Sequence, residues 1–248
     1  MSREARLLAV RRRIAALEAG AAAGVAPFGD ARVDACLPGG GLPLGRWHEA
    51  AGEGMELETA AAAAAFIAAL AAPLAERGAV VWVMRRQDLY APGLAALGFP
   101  AERLIQVCAR DEAQALGALE DALGAEGIAA AIGEVESPSL LAGRRLQLAC
   151  ERHGATGFVI RRRLFGGRAS EAGSAAATRW IIAAAPSAPE AGEPGLGAPR
   201  WRVALERCRG GRPGAWIMEK SDDASSLRVV AELGDRQLDP APSERLAG

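Results

Sequence analysis

Residues 52–59, GEGMELET, form a short glycine-containing turn between a strand-like run and a long alanine-rich stretch. A strand, a glycine turn and a helix in that order are where a phosphate-binding loop would sit. The chemistry needs G-x-x-x-x-G-K-[ST]: backbone N–H groups cradle the phosphates, the lysine neutralises the β/γ charge and the hydroxyl holds magnesium. Here Gly52 and Gly54 are present, Leu57 replaces the second glycine, Glu58 replaces the lysine, and only Thr59 keeps its type. Glu53, Glu56 and Glu58 surround the place of the phosphates. Two like charges 4 Å apart repel by about 1 kcal/mol even in water. Lys220 is the only lysine, far from this turn. The loop is therefore expected to be inactive toward ATP, and no catalytic residue and no cofactor are assigned.

A second nucleotide feature would be an acid ending a hydrophobic strand. In IAAAIGEVE that place falls on Gly133 or Glu134, depending on a one-residue choice of register. Arg85 and Arg86 follow another strand-like run and read as an anion site or as a solvated strand end. Arginine is concentrated in two further places. Arg161, Arg162 and Arg163 end GFVIRRR, where alternation sends the first and third to one face and Arg162 to the other. Arg207, Arg209 and Arg212 stand within ERCRGGRPG, whose glycines allow close backbone approach. Arginine suits bidentate contact with phosphate or carboxylate. These six residues are candidates for partner or DNA contact, against the reading of solvated turn charges. Aromatics that could stack bases are few, and Trp180, Trp201 and Trp216 read as core.

Cys36, Cys108, Cys150 and Cys208 are widely spaced, and the only histidines are His48 and His153, so no metal site is expected. The cysteines read as small buried hydrophobes in a reducing compartment.

These groups need a frame to hold them. The chain has 248 residues, half of them hydrophobic but only 4% aromatic, so the core must be built from Ala, Val, Leu and Ile. The net charge of −1 excludes global steering toward nucleic acid or an anionic membrane. The N-terminus lacks a signal-peptide core, and the apolar run 60–72 is too short to span a bilayer. A cytoplasmic protein without a membrane partner is expected.

Strand-like and helix-like runs alternate from residue 46 to 161: strands at 46–51, 79–84, 104–109, 128–135 and 156–161, helices at 56–76, 89–97, 112–123 and 139–152. Such alternation argues an α/β fold, a mostly parallel sheet with helices on both faces. Runs at 179–185, 200–208, 215–219 and 227–233 read as further strands, the last three as an antiparallel meander. Residues 3–18 form a helical pattern with Leu7, Leu8, Ile14 and Leu17 on one side, set off by a Gly/Ala break. They read as a docking arm. The expected division is an arm at 1–24, a domain at 28–235 and a flexible tail at 236–248.

The pattern LPGGGLPLGR-x-HE at 37–49, then FVIRRR, ATRW and LERCRGGRPG-x-W, resembles the ImuA family, a RecA-like group also labelled SulA-like. The resemblance covers residues 28–235. The chain departs from the family at MEKSDDASS, where Lys220 and Ser221 stand in place of an acidic-Trp-Asp stretch. The resemblance implies a RecA-like core and an accessory role in damage-induced translesion DNA synthesis. The implied partners are an ImuB-like polymerase homologue, RecA and an error-prone replicative-type polymerase. Weak DNA binding is the further possibility. The rival readings are a divergent RecA-like ATPase and a SulA-like inhibitor of cell division.

Overall fold

The computed structural model describes residues 24–54, 56–162, 174–188, 197–220 and 227–233, with the side chains of 56–59 left out. The docking-arm leucines and Ile14, the tail and Arg163 lie outside the described residues.

Nine strands form one sheet: β3 (Trp47–Gly52), β4 (Ala79–Met84), β5 (Leu104–Cys108), β6 (Ile128–Val135), β7 (Thr156–Arg161), β8 (Thr178–Ala185), β9 (Arg200–Cys208), β10 (Gly214–Lys220) and β11 (Leu227–Glu232). Their order is β11-β10-β9-β8-β3-β7-β6-β4-β5. From β8 to β5 the strands are parallel. β9, β10 and β11 add on antiparallel, as the meander reading expected. The fold is thus the expected α/β class, a mostly parallel sheet with an antiparallel extension.

Two faces bury two cores, which is why the central strands read as nearly continuous hydrophobic runs. Helix α2 (Glu56–Ala71) covers one face, over Trp82, Ile132, Phe158, Ile160, Trp180 and Trp201. Helices α4 (Glu112–Leu123) and α5 (Leu140–His153) cover the other, over Trp47, Val81, Val83, Ala131 and Val159. Alternate residues of one strand feed opposite cores, as pleating requires. The three tryptophans read as core are buried.

The helix boundaries follow local chemistry. Asp111 and Ser139 cap α4 and α5 by accepting from Gln114 N and Ala142 N. Gly154, at φ 77°, ends α5 in the left-handed region. Helix α2 stops at Ala71, short of residue 76, and Ala72–Arg77 continues as a 3-10 turn. Pro73 cannot donate to a helical ladder. The helical stretch Ala60–Arg77, 18 residues, is long and apolar enough to cross a membrane by length and composition, and 56% of it is buried inside the fold.

The expected glycine-rich loop before β3 holds three short elements: β1 (Val25–Ala26), α1 (Ala31–Asp34) and β2 (Leu42–Pro43), with β1 and β2 antiparallel. The helix expected at 89–97 shortens to α3 (Ala91–Ala95). Cys36 and Cys150 are buried as expected, whereas Cys208 is half-buried and Cys108 is exposed on the edge strand.

Candidate functional site

Parallel strands end together, so the residues after β3, β4, β6 and β7 meet at one edge of the sheet. β3 lies between β7 and β8, and the chain leaves it for β4, two strands beyond β7. Such a change of direction in the strand order is where α/β sheets form ligand crevices.

The turn after β3 is short. β3 ends at Gly52 and α2 starts at Glu56, so Leu57, Glu58 and Thr59 already lie in the first helical turn. Gly54 has φ 94°, a conformation that favours glycine. Glu53 N donates to Ile182 O at 2.9 Å, and its carboxylate pairs with Arg202 at 2.6 Å. The turn is thereby tied to β8 and β9.

The register question at β6 resolves on Glu134. Gly133 faces α4, and a Cβ there would lie 2.6 Å from Leu119. Glu134 points to the α2 side and is 5% exposed. It accepts from Trp82 Nε1 at 2.8 Å and from Arg162 Nη1 at 2.6 Å. Arg162 also holds Asp88 through two hydrogen bonds of 3.0 Å. Burial pushes the Glu134 carboxyl up despite Arg162 and Trp82. The Arg162 guanidinium holds Asp88 below the usual carboxylate range. The cation beside the strand-end acid is therefore an arginine of the chain itself.

A second network occupies the opposite face. Glu49 is 2% exposed and takes Arg161 and Arg179, each at 3.2 Å. Arg161 also donates to Glu136 O and Ser137 Oγ. Arg161 and Arg162 point to opposite faces, as alternation predicted. Arg85 pairs with Glu136 at 3.1 Å and reaches Glu112 at 3.8 Å, and exposed Arg86 lies 3.9 Å from Asp88.

Arg207, Arg209 and Arg212 are exposed and bond differently. Arg207 donates to Ser174 O and Ala176 O, Arg209 to Ala175 O, and Arg212 to Ala35 O. Among the described residues none of the three pairs with a carboxylate. Burial, with the nearby guanidiniums of Arg179 and Arg209, pushes Arg207 below its usual range. A negatively charged group arriving there would relieve that crowding.

Glu49, Trp82, Asp88 and Arg179 were missed by the sequence reading. The available signal was a single acid, Glu49, inside the apolar strand WHEAAG. A buried acid demands a cation, but the sequence does not say which.

No family model matches the chain. Two curated relatives, each named Protein ImuA and coming from two strains of Caulobacter vibrioides, are 55% identical over 234 residues. That alignment covers 90% of this chain and 96% of each relative. Identity at that level over nearly the full length of both proteins shows that the chain belongs to the ImuA family.

Proposed function

We propose that this chain is a non-catalytic, RecA-like accessory protein of damage-induced, mutagenic translesion DNA synthesis. It binds the ImuB-like polymerase homologue, and RecA and the error-prone replicative-type polymerase belong to the same assembly in the cytoplasm. Family membership supports the mutagenesis role. One observation carries the non-catalytic reading: where a nucleotide site needs a free cation, Glu58 replaces the lysine and Arg162 is spent on Glu134 and Asp88. The exposed Arg207, Arg209 and Arg212 set is the favoured contact for a partner, because among the described residues its charge meets only main-chain oxygens.

The test combines genetics and copurification. A strain lacking the gene is complemented with wild type or with the triple alanine variant of those arginines, and damage-induced mutation frequency is counted. Wild type restores mutagenesis and brings down the polymerase homologue, and the triple variant does neither at normal protein level. Full mutagenesis and copurification by the triple variant contradict the assigned contact. Copurification of the division GTPase in place of the polymerase homologue contradicts the function itself.

A further inference from the structure

Helix α5 has an outward face that its packing does not use. Gly143, Leu146, Ala149 and Cys150 face inward and are buried. On the outer side Leu141 is 71% exposed and Leu148 is 58% exposed. Seven residues apart, the two leucines share one side of the helix. Arg144, Arg145 and Arg152, all exposed, follow at the intervening helical spacings. Beside Leu148 a groove of about 330 Å³ runs between α4 and α5, lined by Glu120, Asp121, Gly124, Ala149 and Arg152.

Asp121 stands in the groove, while three arginines line the outer side of α5. Arg145 pairs with Glu120 at 2.6 Å, and the one acid on the outer side of α5, Glu151, is held by Arg46 at 2.7 Å. Among the described residues, Arg144 and Arg152 have no carboxylate partner. Exposed leucines framed by unsatisfied arginines mark a surface for an apolar, anionic partner.

Charge then selects the occupant. A second copy of α5 laid antiparallel, with Leu141 against Leu148, sets Arg144 against Arg145, and a parallel pairing sets each arginine against itself. Like charges at such positions oppose pairing. The chain's own N-terminal segment is basic, with Arg3, Arg6, Arg11, Arg12 and Arg13 against Glu4 and Glu18. The C-terminal segment carries Pro240 and Pro242, which break a helix. We infer that the α4–α5 face docks an acidic, leucine-bearing amphipathic helix of another protein. Its leucines lie over Leu141 and Leu148, and its carboxylates meet Arg144 and Arg152. The inference goes beyond the translesion reading and does not rest on it.

The probe is a synthetic helical peptide of about 20 residues, with leucines on one side flanked by glutamates, titrated into the full chain by fluorescence anisotropy. A lysine-for-glutamate version is the control. The acidic peptide binds, and the lysine version binds at least about tenfold more weakly. Leu141→Asp with Leu148→Asp weakens the acidic peptide by at least about tenfold. Arg144→Glu with Arg152→Glu inverts the preference between the two peptides, a readout that general loss of fold cannot mimic. Both double variants keep the wild-type melting temperature, because the residues are exposed. Binding of neither peptide, or equal binding of both, overturns the inference. So does a dimer by light scattering that Leu148→Asp converts to monomer, since the occupant is then a second copy.

Discussion

Arg161 and Arg162 at the end of β7, and Arg207, Arg209 and Arg212 at the end of β9 and in the turn that follows, read alike in the sequence, as arginines beside turns. In the fold they are opposites. Arg161 and Arg162 are almost wholly buried, and each faces at least one carboxylate that is itself buried: Glu49 for the first, Glu134 for the second. The second group is exposed and, among the described residues, hydrogen-bonds only main-chain oxygens. The first set is internal wiring that joins β3, β6 and β7. The second, among the described residues, has no carboxylate partner. Charge count and spacing do not separate wiring from contact surface. Burial and the position of the nearest acid do.

The comparison breaks most visibly at Arg162. Arg162→Ala leaves Glu134 buried with, among the described residues, only Trp82 as a partner. Loss of one member of a buried pair costs about 3–5 kcal/mol, and chemical denaturation measures it. Adding Glu134→Gln to Arg162→Ala removes the stranded charge and recovers much of the loss. A single variant as stable as wild type means that Arg162 is not wiring.

His48 sharpens the contrast by showing what burial does without a charged partner. It is 1% exposed, within hydrogen-bonding distance of Thr178 Oγ1 (2.8 Å) and Pro43 O (2.9 Å), and burial lowers its pKa to about 4. Its unfolded value is 6.5, so below that pH the unfolded chain takes up a proton that the folded chain refuses. The stability it supports is complete above pH 6.5 and is lost as pH falls toward 4, amounting to about 3 kcal/mol. Denaturation of wild type and His48→Gln from pH 7 to pH 4 isolates this contribution. Parallel pH curves for the two proteins contradict the neutral, buried histidine.

The smallest effect on stability belongs to the exposed set. Replacing Arg207, Arg209 and Arg212 together by alanine leaves the melting temperature within about 2 °C of wild type, because exposed arginines contribute little stability. Copurification of the polymerase homologue is lost. A large drop in melting temperature means that their hydrogen bonds to residues 174–176 and to Ala35 are structural, and the two sets are then alike.

Much of the fold was legible. The strands at 79–84, 128–135, 156–161 and 200–208 and the helix at 112–123 have the expected bounds, because hydrophobic runs and caps are local signals. The elements β1, α1 and β2 were not legible: they have two to four residues each, too few for a period to show. The candidate site was half legible. The loss of the lysine at Glu58 is plain in the sequence. The partners of Arg161 and Arg162 are not, since Glu49 lies 112 residues from Arg161, and Asp88 lies 74 residues from Arg162. Only the sheet order brings them together.

The central claim is that Glu58 takes the place of the lysine and that Arg162, beside the strand-end acid, is already paired with Glu134 and Asp88. Titration calorimetry of the full chain with Mg-ATP tests it most directly. The account predicts no binding heat at millimolar nucleotide. A saturable heat with Kd below about 100 μM, roughly −5.5 kcal/mol, that disappears in Thr59→Ala contradicts it.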